Sequence, residues 1–310
     1  MNFDRSDLFL EPKVTQYANH MVMTNVNKPS KTKYYNIDTR FRDDYDEYAK
    51  ISPLYYNITI PQRINEVKSI EVHNIEIPLT YYNISASLEN NIFQVKYLSN
   101  NYIIVIPDGE YDSTSLTTAI NNQFSLCNLS LNYSLQGSNS VFTSNNGSFT
   151  IQFAVKSSIT TSSITTNDIF NKFNFKSSLG WILGFRNIEY SIQSTKSIKS
   201  EAFIDLNGPR YLYLVIDDYS QGNPNSFVAP NSNSLLNYNI IAKISMNSEY
   251  TKFGTIYTAN LTNGFLLSDK RIYSGKVDLQ RMKIQLVNET GLPLNLNGLD
   301  FSFALEIIYE

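Results

Sequence analysis

The stretch "LDFSFALEIIYE", residues 299–310, reads as a β-strand by itself. Leu299, Phe301, Phe303, Leu305, Ile307 and Tyr309 are apolar or aromatic, while Asp300, Ser302 and Glu306 fall between them, so one face is greasy and the other mostly wet. A strand so patterned needs a sheet to join, and the same texture recurs upstream. "YYNITIP" (55–61) and "VKSIEVHNIEIP" (67–78) are rich in β-branched and aromatic residues, and each ends at a proline that removes a ladder donor. Beyond residue 200 follow "EAFIDL", "RYLYLVIDDY", "NYNIIAKISM", "KFGTIYTAN" and "VDLQRMKIQLVN". In the last, Met282, Ile284 and Leu286 alternate with Arg281, Lys283 and Gln285, the spacing of a half-buried strand. With 299–310 these make eight strands joined by long connections, the tally of two sheets packed face to face as a jelly roll.

Residues 86–198 differ in texture. "NIFQVKYLSNNYIIVIPDG" (91–109) reads as a hairpin around an Asn-rich turn at Ser99–Asn101. An amphipathic helix follows, with Asp112 as N-cap and Leu116, Ile120 and Phe124 along one face. Residues 129–155 give three short strands separated by turn clusters at Gln136–Ser138 and Ser144–Gly147, and "SITTNDIFNKF" predicts a short helix beginning near Thr166. Residues 1–50 lack a sustained period, and "YYNIDTRFRDDYDEY" alternates charges and tyrosines without an apolar stripe. The expected architecture is therefore mainly β: an extended N-terminal arm over 1–50, an eight-stranded single jelly-roll sandwich built from 51–85 and 199–310, and a small α+β domain inserted over 86–198.

Composition narrows the function classes. Only 17% of the 310 residues are charged, against roughly 25% in an average soluble protein. Asn, Ser, Thr and 22 tyrosines stand where Lys and Glu usually would. Such a surface suits lasting contact with neighbours, because uncharged polar groups lose less on desolvation than ions do; codon usage in an AT-rich genome would produce the same bias. A net charge of −3, from 25 basic and 28 acidic residues, implies no general attraction to nucleic acid. The single Cys127 excludes an intrachain disulfide or a paired-Cys zinc site. Seven N-x-[ST] sequons, at Asn57, Asn83, Asn128, Asn132, Asn146, Asn260 and Asn288, follow from the abundance of these residues, since "MNFDRSDLFLEPK" lacks the apolar core of a secretory leader. No membrane span is expected: runs such as "YLYLVI" (211–216) are too short.

Catalytic patterns are sparse. The two histidines are His20 and His73, with no nucleophile turn such as GxSxG nearby, so His73 reads as structural and Cys127 as a small buried hydrophobe. Asp217 and Asp218 form a carboxylate pair, yet adjacent strand residues point to opposite faces. Asp43, Asp44, Asp46 and Glu47 lack the glycine and distal glutamate of an EF-hand. Without GxGxxG, P-loop or HExxH either, the sequence predicts no enzyme, no catalytic residue, no cofactor and no metal site. Leu179, Trp181, Leu183 and Phe185, around Gly180 and Gly184, read as core packing or as a ligand platform with Trp181 exposed.

The segments "YNIDTRFRDDY", "YNITIPQRINEVKSIEVHNIEIPLTYYNIS", "NNIFQV…IIVIPDGEYDSTSLTTAINNQF", "LGWILGF", "RYLYLVIDDY" and "LNLNGLDFSFALEI" follow one another along 34–310. In this order they resemble penton or minor capsid proteins of virophages, Polinton-like elements and nucleocytoplasmic large DNA viruses, with a length and composition similar to a virophage penton of the Sputnik kind. The resemblance implies a jelly roll of which five copies form each fivefold vertex of an icosahedral capsid, beside trimeric double-jelly-roll major capsid proteins, with an outward insertion. It implies a virion location after assembly in the cytoplasm of an infected host cell. The implied partners are copies of the chain itself, as a homopentamer, and the major capsid protein. Within the arm, Tyr34, Tyr35, Arg40, Phe41, Arg42 and Tyr45 are the candidate contacts. The alternative is a receptor- or carbohydrate-binding attachment module of a virion, using tyrosines and Trp181 against a host receptor or glycan.

Overall fold

The alternation in 299–310 becomes a strand over Ser302–Tyr309, with Phe301, Phe303, Leu305 and Ile307 all buried. The computed structural model describes residues 29–43, 55–98, 100–153, 172–220, 236, 239–247, 249 and 251–310. The protein is mainly β, with curled antiparallel sheets. Its large sheet contains β1 (Lys31–Asp38), β2 (Tyr56–Pro78), β10 (Tyr211–Asp217), β11 (Ile240–Ser245), β12 (Ile256–Asn260), β13 (Leu266–Ser268), β14 (Arg271–Asn288) and β15 (Ser302–Tyr309). The order is β1-β15-β2-β14-β10-β11-β13, and β12 pairs with β2 beside β14.

One face of this sheet closes on a single apolar core drawn from Ile37 to Ile307. The curl is visible in hydrogen bonds between strands far apart in the sheet order. Ser268 Oγ of β13 accepts from the Val72 N–H of β2 at 3.3 Å and donates to Ile241 O at 3.1 Å. Tyr257 of β12 likewise donates to Ser245 O of β11 at 2.6 Å. The unbroken run "YLYLVI" is explained by burial on both faces: Leu212, Leu214 and Ile216 enter the main core, while Tyr213 and Val215 pack with Ile240 and Val287 on the other side.

A second core is built from Ile84 to Ile192. Its strands are β3 (Ile92–Tyr97), β4 (Asn100–Val105), β5 (Leu131–Gln136), β6 (Asn139–Ser144), β7 (Phe149–Gln152), β8 (Glu189–Ile192) and β9 (Ser197–Phe203), in sheets ordered β4-β3-β7-β8 and β5-β6-β9. Helix α1 (Ser113–Leu126) begins at Asp112, whose carboxylate accepts from Ser115 N–H while Ser115 Oγ receives the Asp112 N–H, a reciprocal cap. Leu116, Ile120 and Phe124 are buried as their spacing predicts. Helices α2 (Lys172–Ser177) and α3 (Leu179–Ile182) follow. The glycines of "LGWILGF" are required here: a Cβ on Gly180 would lie 2.2 Å from Phe153 Cγ, and Gly184 has φ +91° with Ala202 O against the same position.

The structure revises four expectations. Residues 55–61 and 67–78 are one strand of 23 residues, not two. Pro61 is tolerated inside it because the ladder with β14 passes from Thr59 to Ile64, so no donor is needed there. "EAFIDL" does not join the large sheet; β9, which overlaps it, pairs with β6. Lys31–Asp38, read within a patternless arm, is an edge strand paired with β15 from Lys31↔Tyr309 to Asp38↔Ser302. Strand β13, only three residues long, was not expected. Residues 1–28 and 44–50 of the expected arm, and the start of the helix expected near Thr166, lie outside the described residues.

The end of β10 carries a buried ion pair. Arg271 NH1 reaches Asp218 Oδ2 at 3.2 Å, with side chains 4% and 5% exposed. The guanidinium also donates to Ile216 O and Asn239 O, and Tyr273 Oη donates to the same carboxylate. Burial by itself would raise the Asp218 carboxyl, but the hydroxyls of Ser220 and Tyr273, the Ser220 N–H and Arg271 together hold it below its usual value. Asp218→Asn leaves the Arg271 charge uncompensated, and urea unfolding at pH 7 is expected to show a loss of about 3 kcal/mol. A carboxyl with a lowered folded-state pKa contributes its stability above the unfolded value of about 3.9 and loses it as pH falls through the folded value. The gap between parent and variant should therefore close on acidification below about pH 4; a gap independent of pH would contradict this assignment.

Candidate functional site

The segment Thr39–Asp43 links β1 to the neighbourhood of β2 and is fastened at both ends. Thr39 is fully buried: its N–H donates to Phe301 O, its Oγ1 to Asp300 Oδ1, and it receives the Phe301 N–H, each at 3.0 Å. Arg42 NH1 meets Asp300 Oδ1 at 2.6 Å and Thr39 O at 3.1 Å, and its guanidinium lies 5.4 Å from the Tyr56 ring centroid. Asp43 N–H donates to Asn57 O at 2.8 Å, and its carboxylate accepts from Thr59 N–H at 3.2 Å. Asp38 caps the turn, accepting from the Arg40 N–H and from Arg40 Nε, each at 3.0 Å. The Arg40 side chain is the main reason the Asp38 carboxyl lies below its usual range; partial burial opposes it and the Arg40 N–H assists.

Phe41 stands on this fastened turn with 77% of its surface exposed, beside the Arg40 guanidinium at 5.8 Å. Tyr55, just before β2, and Leu299, ahead of β15, are exposed too, and Lys283 Nζ lies 4.1 Å from the Tyr55 ring centroid. A rigidly mounted aromatic gives up little conformational entropy when a partner covers it, which suits contact with another protein surface.

The six predicted contact residues thus divide. Tyr34, Arg40 and Phe41 face outward. Tyr35 packs against the main core, with Lys33 Nζ 5.0 Å from its ring centroid, and Arg42 is turned inward to Asp300. Tyr45 lies outside the described residues. Tyr34 Oη donates to Glu306 Oε2 at 2.6 Å and its ring meets that of His73 edge-on at 5.4 Å.

Trp181 lines a cleft of about 450 Å³ between the two cores, together with Lys176, Arg186, Asn83, Arg210 and Glu289. The Arg186 guanidinium sits 4.0 Å from the indole centroid and is held there by bonds to Trp181 O and Phe185 O. Phe175 meets the indole at a right angle. The indole face under Arg186 is therefore already covered. Elsewhere in the cleft Arg210 pairs with Asp205 at 3.0 Å, and its N–H donates to Glu289 at 2.9 Å. Asp217 accepts from Tyr219 N–H at 3.0 Å while Asp218 is buried against Arg271, so the two carboxylates do not converge on one point. Cys127 is half-buried at the end of α1 against the second core.

No protein-family model and no curated protein sequence matches the chain. Among solved structures, the crystal structure of the selenomethionine-labelled mavirus penton protein matches at 13% identity and a TM-score of 0.38, over 90% of this chain and 99% of that one.

Two substitutions separate the fastening from the surface it presents. Thr39→Val removes the hydroxyl that both donates to Asp300 and accepts from Phe301, with an expected cost of about 1–3 kcal/mol in denaturant unfolding. Phe41→Ala, at an exposed position, should stay within about 0.5 kcal/mol of the parent. Equal destabilisation by the two would show that Phe41 is part of the packing rather than of a free surface.

Proposed function

We propose that this chain is a structural protein of an icosahedral virus capsid, a vertex subunit that assembles as a homopentamer and contacts the surrounding major capsid protein. It works by presenting surfaces to neighbours rather than by catalysis. The observation that carries the reading is the fastened Thr39–Asp43 turn with Phe41 exposed on it, which lies within the first of the six ordered segments resembling penton proteins. The curled, mainly antiparallel β fold and the low charge fit the same role.

In this reading residues 51–85 and 199–310 form a jelly roll that builds the vertex, residues 86–198 form an outward insertion, and residues 1–50 form an arm toward a neighbouring subunit. The subunit resides in the virion and is assembled in the cytoplasm of the infected cell. Five subunits related by a closed rotation repeat one heterologous contact, so a single patch acts five times. Attachment to a host receptor or glycan through Trp181 is the weaker reading, because Arg186 would have to leave the indole before a sugar could stack on that face.

Native mass measurement of the full chain, alone and mixed with the capsid's major protein, tests the proposal. The expected species is a ring near 177 kDa, about five times the 35.4 kDa chain. Phe41→Asp is expected to abolish that ring while leaving the unfolding midpoint unchanged. A chain that remains a monomer under both conditions overturns the reading.

A further inference from the structure

Strands β1, β15 and β2 lie side by side, and their register places Tyr34 opposite Glu306 and Glu306 opposite Glu71. Two carboxylates directly across a ladder repel unless a cation lies between or beside them. Both side chains are mostly buried, 15% exposed for Glu71 and 10% for Glu306. The ammonium of Lys270 compensates from the rim, 3.9 Å from Glu71 Oε2 and 3.6 Å from Glu306 Oε1, on a side chain 43% exposed.

His73 completes the cluster. It is the extra residue of a β-bulge, since Val72 pairs with Leu305 and Asn74 with Ala304. Its Nε2 is shielded from solvent and makes no hydrogen bond, although it lies 3.3 Å from Glu306 Oε2 and 3.9 Å from Glu71 Oε2. A buried polar atom without a partner calls for an explanation, and this one faces two carboxylates. The three donor atoms lie within 4.8 Å of one another. In a tetrahedral shell with bonds near 2.0–2.1 Å, ligand atoms stand about 3.3 Å apart, so the Nε2–Glu306 distance already fits, while the Glu71 oxygen, 3.9 Å from Nε2, has to close in on both other donors as an ion binds.

We propose that Glu71, His73 and Glu306 form a binding site for a divalent transition-metal cation of the zinc class, through His73 Nε2 and one oxygen from each carboxylate. One imidazole and two carboxylates suit such an ion better than calcium, which takes six to eight oxygens. Tyr34, donating to Glu306, orients that ligand from the second rank. Lys270 competes with the metal for the same carboxylates, and its exposed side chain can swing away. A bound ion joins β2 to β15 and, through Tyr34, steadies the edge strand β1. This inference stands independently of any capsid role.

The test uses the untagged full-length chain, stripped with a chelator and titrated with Co²⁺ as a spectroscopic probe, followed by Zn²⁺ competition and elemental analysis. One equivalent of Co²⁺ with a visible ligand-field spectrum, displaced by Zn²⁺, is expected. His73→Ala should remove binding, Glu71→Gln and Glu306→Gln should each weaken it by more than the about 10–100-fold of an outer-shell change, and Lys270→Ala should tighten it. His20→Ala, which alters the other histidine of the sequence, should change nothing. Should His73→Ala fail to fold, the imidazole NMR signals of the parent chain decide: those of one histidine must shift on adding Zn²⁺ and remain shifted in His20→Ala. Absence of binding, or binding that survives His73→Ala, overturns the proposal and leaves Lys270 as the compensating cation.

Discussion

The structure depends on the pairing of β2 along both its edges. At 23 residues it is several times the usual strand length, and at about 3.3 Å per residue a straight strand would far outreach a domain of this size. It therefore bends, and its partners change along the way: β15 runs beside Val67–Glu76, while the other edge meets β14 over Tyr56–Ile70 and β12 over Asn74–Pro78. The bends coincide with irregular register, at Pro61, at the left-handed Glu66 (φ +56°) and at His73. The irregularity at Pro61 leaves the buried face unchanged, from Tyr56, Ile58 and Ile60 to Ile64, whereas the face switches to Val67 at Glu66, to Ile70 and Val72 at Lys68, where the register with β15 also slips, and to Ile75 and Ile77 at His73. One strand thus contributes to the core at both ends of the curled sheet.

This explains what could be read from the residues and what could not. Period-2 alternation shows a strand's existence and its buried face, and for β15 and the later part of β14 it was sufficient. It cannot show that two alternating segments of opposite phase are one strand, because a bulge looks like a break; that is why 55–61 and 67–78 read as two. The large sheet holds eight strands, the number expected for two packed sheets, only because errors cancelled. Merging two segments into β2 and losing "EAFIDL" to β6 were offset by β1 and β13. Strand β1 was hidden because its outward positions carry tyrosine and lysine and Ile37 alone is fully buried.

The surface and the cluster were legible to different degrees. The richness of "YYNIDTRFRDDY" in aromatic and basic residues singled out this segment, but charge and aromaticity do not say which residue turns inward. Arg42 was as strong a candidate as Phe41 until the fold brought Asp300 to it from more than 250 positions away. The Glu71-x-His73 spacing was a local signal for two donors on one face, yet the third donor, Glu306, arrives only through the β2–β15 register. A long-range pairing of this kind leaves no motif.

Among the described residues the large sheet ends at β1 and β13, and these edges bear on how such a molecule meets others. An unpaired strand edge invites another strand, and proteins guard against this with lysines, short strands or cover. Both ends of the sheet order show such guards: β1 carries exposed Lys31 and Lys33, and β13 is three residues long and tied back to β2 through Ser268. Addition of a foreign strand is thereby discouraged at either edge. Contact is left to side chains standing on fixed backbone, and Phe41 is of that kind, because Thr39, Arg42 and Asp43 hold the turn to β2 and to the residues entering β15. The same pairing that builds the core therefore also sets the exposed aromatic in place, and loosening the β2–β15 ladder would disturb both.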